Sequence, residues 1–478
     1  MSRVLLIKPR YIGPEFQSVS HPLGLMHIAA ALRPSGHDVR IHDCASSPFR
    51  HRRLAELINA WRPELVGISL IVSELDTAAS VTSVVRNSLP GTPIVLGGPW
   101  PSANPDAAIE RFGADFVVAG EGEIVFPALV EAIRDGHAPS DITRDIPGVF
   151  CRVDGITTGS RAGILTEEQL ETLGFPAWDL IDRRIYARIP SMAGTGCGDY
   201  MTVMTSRGCP FMCAYCHQTL GKRFRARSAE SVLAELDELH GRFGYSEFEI
   251  VDDCFNLDRE RMSAILEGIA TRLPGARLHF PNGLRSDRLE PADIKLMRRA
   301  GTVSACFAIE TATPELQKLI GKNLDIGKAR AAIECAVSQG IFSTGFFMLG
   351  LPTETLDQAT ATIDFASNLP IHRAIFMLTT PFPGTPLADM TANILKERGI
   401  SQAGENLNYF TRGVNVSAMT DDELNRVFRD SYRRFYLDPR RVARILAAHP
   451  RKLSLPRYGL MTLAKVLPGV WRTGAGRT

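Results

Sequence analysis

Three cysteines near the middle of the chain restrict its possible folds more than any other feature of the sequence. Cys209, Cys213 and Cys216 stand at C-x3-C-x2-C spacing in the run Thr-Ser-Arg-Gly-Cys-Pro-Phe-Met-Cys-Ala-Tyr-Cys-His. Three thiolates at this spacing can hold one face of a metal cluster. Iron–sulfur clusters normally have four cysteine ligands, so one iron would lack a protein ligand and could bind a substrate or cofactor. A zinc knuckle is the alternative, but no fourth Cys or His follows at finger spacing.

The rest of the composition favours a globular enzyme in a reducing compartment. The 478 residues correspond to roughly two to four domains, and no apolar run has the ~18–20 residues of a membrane span. No signal-peptide pattern precedes the first predicted strand. The other cysteines are scattered, so we expect packing thiols in a cytoplasmic protein rather than a disulfide framework. These expected packing thiols are Cys44, Cys151, Cys197, Cys254, Cys306 and Cys335.

Short apolar runs alternate with helical patterns over residues 1–135, which predicts a doubly wound parallel sheet. The predicted strands are Val4–Ile7, Val39–Ile41, Leu65–Ser69, Ile94–Leu96 and Phe116–Val118. The predicted helices are Leu25–Leu32, Leu54–Trp61, Ala78–Val85, Ala107–Arg111 and Phe126–Ile133. Ligands of such sheets bind beyond the carboxyl ends of the strands.

The following sequence divides into a linker, a second α/β domain and a basic extension. Residues 136–195 are polar and weakly periodic, which predicts a linker anchored by Phe175 and Trp178. Residues 196–390 contain a second alternating series, and residues 391–478 are predicted to be helical. The strands predicted in the second series are Met201–Thr205, Phe248–Val251, Leu278–Phe280, Val303–Ile309, Thr344–Leu349 and Ala374–Leu378.

The cysteine run and the second series resemble the radical S-adenosylmethionine (SAM) enzymes. The cysteine spacing, the flanking Ser-Arg-Gly-Cys-Pro and the aromatic Tyr215 match the signature of that family. The resemblance implies a partial (β/α)6 barrel and a 4Fe–4S cluster on Cys209, Cys213 and Cys216. It also implies that the open iron chelates the amino and carboxylate groups of SAM.

Residues at the carboxyl ends of the barrel strands are candidates for SAM contacts, because barrels of this kind place their chemistry there. Asp252 and Asp253 follow the second strand and suit an ammonium group or ribose hydroxyls. Arg285 follows the third strand, and its planar guanidinium could bind a carboxylate. Glu310 ends the fourth strand in a Phe-Ala-Ile-Glu-Thr run, which resembles the Gly-Ile-Glu-Ser segment of the family with Ala308 in place of Gly.

The fifth strand leads into Gly-Phe-Phe-Met-Leu-Gly-Leu-Pro-Thr-Glu, which resembles the family's segment along the adenine ring. Met348 is expected to pack on that ring, and Gly350 to permit its close approach. No residue of this chain is assigned a direct catalytic role.

The amino-terminal segment resembles the cobalamin-binding domain that is often fused ahead of a radical SAM barrel. In cobalamin folds a Ser-x-Leu turn and a Gly-Gly turn line the slot for the nucleotide tail. Ser69-Leu-Ile71 and Gly97-Gly98 match these turns, with Ile in place of Leu. The Asp-x-His-x-x-Gly motif that supplies an axial His to cobalt is absent after the first strand. His21 remains a candidate axial ligand, with a packed or solvated histidine, or a domain without cobalamin, as the alternatives.

Together the two resemblances imply a cobalamin-dependent radical SAM enzyme, for which two reactions remain open. In a methyltransferase, a 5′-deoxyadenosyl radical from SAM abstracts hydrogen from an unactivated carbon, and the substrate radical takes a methyl group from methylcobalamin. In an oxidative cyclase or rearrangement enzyme, the same cofactors act without methyl transfer. A ligand-sensing module is disfavoured by the intact cluster motif. We expect a small-molecule or lipid-like substrate, and an electron donor such as flavodoxin or ferredoxin.

Basic residues are concentrated at the carboxyl end. From Arg433 onwards there are eleven Lys and Arg and one acidic residue, Asp438, although the net charge of the whole chain is only +2. Interleaved apolar residues are typical of a helix on an anionic membrane surface. A solvated helix that caps the barrel is the alternative, and the scarcity of aromatic residues argues against nucleic acid. The basic residues in question are Arg440, Arg441, Arg444, Arg451, Lys452 and Arg457.

Overall fold

The computed structural model describes residues 1–10, 18–46, 51–196, 198–217, 219–397, 414–456, 459–460 and 463. The chain divides into two compact units. The first comprises Met1–Tyr186 with Thr219–Gly221, and the second comprises Ala187–Gln218 with Lys222–Thr478. Each unit is built around its own predominantly parallel sheet, and the predicted α/β fold class is confirmed.

The strands of the first unit are β1 (Arg3–Lys8), β2 (Asp38–Asp43), β3 (Leu65–Ser69), β4 (Ile94–Gly97), β5 (Phe116–Val118), β6 (Val149–Val153) and β7 (Ile156–Gly159). Its helices are α1 (Leu23–Leu32), α2 (His51–Trp61), α3 (Leu75–Ser88), α4 (Pro99–Ala103), α5 (Pro105–Phe112), α6 (Gly122–Arg134), α7 (Pro139–Asp145), α8 (Glu167–Thr172) and α9 (Arg183–Tyr186).

The first unit is a doubly wound sheet with the described strands in the order β2-β1-β3-β4-β5-β6-β7. Strands β1 to β5 are parallel, with Val4 opposite Val39 and Leu65. Because successive side chains of a strand point to opposite faces, Leu5 and Ile7 pack in one core and Val4 and Leu6 in another. Helices cover both faces, so these strands read as continuous apolar runs in the sequence.

The segment expected to be a linker is largely part of this first unit. Residues 139–145 form α7, and β6 and β7 add an antiparallel hairpin to the sheet edge. The sequence expectation for 136–195 therefore differs from the structure over its first half. The hairpin is a polar edge, so it lacks the apolar pattern of the central strands. Its Asp154-Gly155 turn is a hairpin signal that the sequence does contain.

The strands of the second unit are β8 (Met201–Val203), β9 (Ser206–Arg207), β10 (Arg225–Ala226), β11 (Glu247–Ile250), β12 (Arg277–Leu284), β13 (Thr302–Glu310), β14 (Phe342–Leu349) and β15 (Arg373–Leu378). Its helices are α10 (Ala229–Gly241), α11 (Arg259–Arg272), α12 (Pro291–Arg299), α13 (Pro314–Leu319), α14 (Ile326–Ser338), α15 (Leu356–Asn368), α16 (Pro386–Glu397), α17 (Asp421–Tyr436) and α18 (Pro439–Ala448).

The second unit is the predicted open strand–helix barrel. Its described parallel strands follow the order β8-β11-β12-β13-β14-β15, so each strand–helix unit adds to the same edge. The short antiparallel strands β9 and β10 pair with each other on either side of the segment that contains the cysteines. Side-chain caps begin several helices: Ser228 before α10, Asp258 before α11, Asp325 before α14 and Thr355 before α15.

Helix α17 covers β15, which is the edge strand of the described sheet. The Tyr436 hydroxyl donates to the carbonyl oxygen of Ala374 at 2.9 Å and accepts from its amide at 3.2 Å. The Tyr432 hydroxyl donates to the carbonyl oxygen of Phe376 at 2.9 Å. Two tyrosines one helical turn apart thus satisfy the backbone groups of two alternate strand residues.

Helix α18 shows that the basic residues of the extension have different roles. Arg441 is fully buried, donates to the carbonyl oxygens of Ser367, Leu369 and Ile371, and stacks on Phe435 at 4.0 Å. Burial lowers its pKa to about 10. Arg451 pairs with Glu247. Arg441 therefore belongs to the folded core and the partly exposed Arg451 to an ion pair, whereas Arg440 and Lys452 are exposed and Arg457 lies outside the described residues. Nowhere in the described ranges is a helix both long and apolar enough to cross a bilayer.

Candidate functional site

The three cysteines lie in one loop that follows β9 at the carboxyl end of β8. Cys213 is buried, and Cys209 and Cys216 are partly exposed. The Cys216 amide donates to the Cys213 carbonyl oxygen at 3.2 Å, and the Cys213 sulfur lies 4.0 Å from the Gly321 carbonyl oxygen. No group of three metal-ligating side chains in a metal-binding arrangement occurs in the described part of the chain. Cys254, expected as a packing thiol, lies directly beside the loop.

Two of the three loop cysteines are shifted towards the thiolate, which is the metal-binding form of cysteine. The neighbouring Cys216 thiol and the nearby Lys322 ammonium lower the pKa of Cys213 to about 6. The neighbouring Cys254 thiol and the backbone amide of Phe211 lower the pKa of Cys209 to about 7. Both effects outweigh the opposing cost of burial. The adjacent Cys213 and burial, by contrast, raise the pKa of Cys216. This donor set fits an iron–sulfur cluster held by three cysteines.

Backbone contacts brace the loop against the segment after α13. The amide of Ala214 donates to the carbonyl oxygen of Ile320 at 2.8 Å. Gly321 has φ +63°, and a Cβ there would lie 2.6 Å from the Met212 carbonyl oxygen. A side chain at this position would therefore push the cysteine loop away. Gly321 is a site residue that the sequence argument missed.

Asp252 holds the residues that lead into the cysteine loop. Its carboxylate accepts from the Thr205 amide at 2.6 Å and from the Thr205 and Ser206 hydroxyls at 2.5 Å each. The side chain is buried, and burial raises its pKa. Both carboxylate oxygens of Asp252 already accept hydrogen bonds from the protein, so this side chain is a poorer candidate for a SAM contact than the sequence suggested. Asp253 accepts from the Gly208 amide at 3.0 Å and remains exposed.

Glu310 occupies a strained position at the end of β13. Its φ is +70°, and the pairing of β13 with β14 shifts register between Ala308 and Glu310. A non-glycine residue in this region costs on the order of 1 kcal/mol or more, and such strain clusters at functional sites. The buried carboxylate accepts from the Tyr215 hydroxyl at 3.0 Å and lies 3.4 Å from the Lys322 ammonium. The structure thus brings Glu310 and Tyr215 together and adds Lys322, which the sequence argument missed.

Arg285 is engaged by the protein itself. Its guanidinium stacks on Phe211 of the cysteine loop at 3.9 Å and pairs with Asp287 at 3.1 Å. It also donates to the Asn323 carbonyl oxygen at 3.0 Å. We conclude that Arg285 orders the loop, and the expected grip on a carboxylate would compete with these partners.

Met348 and Gly350 are placed differently from the adenine-binding expectation. Met348 is buried in a small cluster with Leu316, Ile320 and Leu351, against which Tyr215 packs. Gly350 has φ +84°, and a Cβ there would lie 3.3 Å from Leu424 of α17. Its amide donates to the buried Glu354 carboxylate at 2.5 Å. The glycine is therefore required by the turn and by the helix packed on it.

In the first unit the two predicted turns lie side by side. Ser69 ends β3 opposite Gly97 at the end of β4, and the Leu70 amide donates to the Gly97 carbonyl oxygen at 3.0 Å. Gly98 has φ +91°, and a Cβ there would lie 2.8 Å from the Leu70 carbonyl oxygen. A Cβ on Gly97 would meet only the Val118 carbonyl oxygen, at 3.7 Å. This partly exposed glycine surface fits the close approach of a cofactor tail.

His21 lies in a packed cluster. Its ring is buried and stacks on Tyr186 with centroids 4.1 Å apart. Burial lowers its pKa to about 3. The Tyr186 hydroxyl donates to Asp43 at 2.5 Å, and Arg10 pairs with the same carboxylate. The geometry favours the packed histidine over an axial ligand.

Family models match both units. The B12 binding domain matches residues 9–130, and the Radical SAM superfamily matches residues 203–366. An uncharacterised methyltransferase of Pyrococcus horikoshii is 29% identical over 465 residues, which is 94% of this chain and 95% of the relative. Cytidylyl-2-hydroxyethylphosphonate methyltransferase of Streptomyces wedmorensis is 26% identical over 80% of each chain. The anaerobic magnesium-protoporphyrin IX monomethyl ester cyclase of Cereibacter sphaeroides is 25% identical over 91% of this chain and 70% of the relative.

Two solved structures share the fold. The radical SAM methyltransferase TsrM of Kitasatospora setae, solved with tryptophan and a SAM analogue, has a TM-score of 0.69 and 21% identity, with 82% of this chain and 76% of that chain covered. The cobalamin-dependent radical enzyme OxsB, solved with aqua-cobalamin, has a TM-score of 0.73 and 14% identity, with 97% of this chain and 72% of that chain covered.

Proposed function

Because the chain belongs to the radical SAM enzymes that carry an amino-terminal B12-binding domain, we propose that it is a cobalamin-dependent methyltransferase acting on an unactivated carbon of a small molecule. The observation that carries this proposal is the loop of three cysteines, whose Tyr215 hydroxyl donates to the buried, strained Glu310 carboxylate at 3.0 Å. When bound, a 4Fe–4S cluster, SAM and cobalamin would together supply a substrate-activating radical and a transferable methyl group. A flavodoxin or ferredoxin would provide the electron.

In the second unit, the chain's own residues would position SAM at the cluster. Cys209, Cys213 and Cys216 would hold the iron. The Glu310 carboxylate would bind the SAM ammonium group, with Lys322 balancing its charge and the Tyr215 hydroxyl fixing its orientation. Asp253 keeps an exposed carboxylate at the end of β11, which suits ribose hydroxyls.

In the first unit, Ser69 and the Gly97-Gly98 turn would line the slot for the nucleotide tail of cobalamin. The absence of a side chain on Gly97 leaves the backbone accessible, and Gly98 holds the turn closed against Leu70. His21 would stay packed on Tyr186, so cobalamin would bind without an imidazole of this residue on cobalt.

The second candidate function is an oxidative cyclisation or rearrangement with the same cofactors. The similarity to the magnesium-protoporphyrin cyclase favours it, whereas the similarities to the Pyrococcus and Streptomyces methyltransferases favour methyl transfer. The residues described above serve either reaction. The two functions differ only in whether the SAM methyl group enters the product.

Deuterated-methyl SAM separates the two functions. The anaerobically reconstituted full chain, with a reducing flavodoxin system and a small-molecule extract of the host, is expected to yield a product carrying the deuterated methyl group. Mass spectrometry of the reaction, with the Cys213→Ala variant as the blank, detects that product. A new product without deuterium, formed together with 5′-deoxyadenosine, would contradict methyl transfer and favour the cyclase.

We also propose that the α18 surface contacts an anionic membrane. Val442 and Leu446 of α18 and Leu453 beyond it are exposed, with Leu453 98% accessible. Exposed Arg440 and Lys452 accompany them. No acidic residue occurs between Pro439 and Leu460. Apolar side chains flanked by cations suit anionic headgroups, where each cation contributes about 1 kcal/mol. A substrate delivered from a bilayer would reach the enzyme in this way.

Vesicle flotation tests this surface. The full chain is expected to float with vesicles containing phosphatidylserine and to remain in solution with pure phosphatidylcholine vesicles. The double variant Leu446→Glu with Leu453→Glu should lose most of this binding, since it replaces exposed apolar groups by anions. The matched control is Ile156→Glu, an exposed apolar residue of the first unit. Equal flotation of the double variant and the wild type would rule out the membrane surface.

A further inference from the structure

A buried ion pair lies beside the turn that follows β3 in the first unit. Lys8 is the last residue of β1, and its ammonium lies 2.5 Å from the Glu74 carboxylate. The two side chains are only 13% and 4% exposed. Burying two charges costs free energy that their attraction often fails to recover, so such a pair contributes little to stability by itself. Its contribution lies in the backbone groups that it binds.

The ion pair binds both ends of the turn formed by Ser69, Leu70 and Ile71. The Lys8 ammonium donates to the Ser69 carbonyl oxygen at 3.3 Å. The Glu74 carboxylate accepts from the Ile71 amide at 3.0 Å, and the Glu74 amide donates to the Ile71 carbonyl oxygen at 3.0 Å. The pair therefore connects the turn to the end of the neighbouring strand β1 and to the start of α3.

These contacts leave the Ser69 side chain available to a ligand. The Leu70 amide, between the two bound ends, donates to the Gly97 carbonyl oxygen at 3.0 Å. Ser69 is partly exposed, and its hydroxyl has no hydrogen-bond partner among the residues that the structure describes. The hydroxyl oxygen lies 2.9 Å from the position that a Cβ on Gly98 would take. The turn is thus held through its backbone, and its polar side chain is not used by the protein.

A binding surface that is already fixed spares the ligand the cost of ordering it. We infer that Lys8 and Glu74 are positioning residues that hold the Ser69–Ile71 turn for the nucleotide tail of cobalamin, so that the chain prefers a corrinoid with a tail to one without. This inference rests on the proposed function, since it requires the tail to bind along this turn. Both residues act through the backbone of the turn and need not contact the cofactor.

Binding of cobalamin and of cobinamide, which is the corrinoid without its nucleotide tail, tests the inference on the reconstituted full chain. Lys8→Met leaves the Ser69 carbonyl oxygen without its donor. We expect cobalamin binding about tenfold weaker, because the ligand must then order the turn, and cobinamide binding unchanged. Glu74→Gln is a milder change that retains an acceptor for the Ile71 amide, and it should reduce the preference in the same direction. Absorbance titration measures both affinities.

The matched control is Arg86→Met in the same unit. Arg86 pairs with Asp115 at 2.6 Å and donates to the carbonyl oxygens of Thr92 and Gly113, so it also holds backbone groups through an ion pair. These groups precede β4 and β5, at the ends of the strands opposite to the Gly97 turn. We expect the wild-type preference for cobalamin in this variant.

Two outcomes would overturn the inference alone. An unchanged preference for cobalamin in Lys8→Met and Glu74→Gln would show that the turn does not need the ion pair. Equal weakening of cobalamin and cobinamide binding would show that the pair supports the fold and not the tail. If Lys8→Met does not fold, Glu74→Gln decides by the same criteria. By contrast, a wild-type protein that binds both corrinoids equally, or neither, would overturn the tail slot of the proposed function.

Discussion

We expect Cys213→Ala to reduce SAM cleavage to 5′-deoxyadenosine to background and to prevent the iron–sulfur absorbance from forming. Cys213 is the buried cysteine of the loop, and the neighbouring Cys216 thiol and the Lys322 ammonium lower its pKa. Alanine removes the ligand, while the hydrogen bond from the Ala214 amide to the Ile320 carbonyl oxygen holds the loop backbone in place. Iron analysis, absorbance and chromatography of the SAM products measure the effect.

The matched control for this loss is Cys335→Ala on α14. Cys335 is also a cysteine of the second unit, but it belongs to a helix and not to the loop. Full iron content and normal SAM cleavage are expected for it. Normal iron content and cleavage in Cys213→Ala would remove Cys213 from the cluster ligands and with it the basis of the proposed function.

We expect Gly97→Leu to abolish cobalamin retention while leaving the first unit folded. A Cβ at Gly97 has only one neighbour, at an ordinary contact distance of 3.7 Å, so the side chain can branch from the backbone there without a clash at its Cβ. That side chain would then occupy the surface where the nucleotide tail is expected. Gly98 is a poorer choice, because any side chain there meets the Leu70 backbone at 2.8 Å. The cobalamin absorbance of the reconstituted protein after gel filtration measures retention.

The matched control for the cobalamin slot is Gly91→Leu. Gly91 lies before β4, at the opposite end of the strand that Gly97 ends, and a Cβ there has no neighbour within 4 Å. Gly91→Leu therefore adds the same side chain near the other end of β4, away from the slot. Cobalamin retained by Gly97→Leu, or lost equally from both variants, would speak against the turn as the binding surface.

The buried parallel strands were predictable from the sequence because each must be apolar on both faces. The strands expected at Leu65–Ser69 and Phe116–Val118 have those bounds in the structure, and the others differ by a few residues at their ends. The β6–β7 hairpin escaped this argument since its strands lie at an edge and carry polar residues such as Arg152 and Thr157. Edge strands do not show the continuous apolar run on which the prediction depended.

The site was predictable only as far as strand ends can be located. The sequence places Asp252 and Asp253 at the end of β11, but whether a carboxylate faces a cofactor or a backbone amide depends on the neighbouring loop. Asp252 turned inward and Asp253 stayed exposed. Lys322 was missed for the same reason, because it lies 3.4 Å from Glu310 beside a cysteine loop that is distant in the sequence.

The tyrosines of α17 have a consequence for how the barrel can be shortened. An unpaired edge strand is a template for strands of other molecules, and natural proteins protect such edges to avoid aggregation. Here the protection is two phenol hydroxyls, from Tyr432 and Tyr436, which lie in sequence well beyond the match to the family model at residue 366. A barrel trimmed to that match would lose both the strand β15 and its cover, and we expect it to aggregate. Any shortened form should therefore extend through Tyr436.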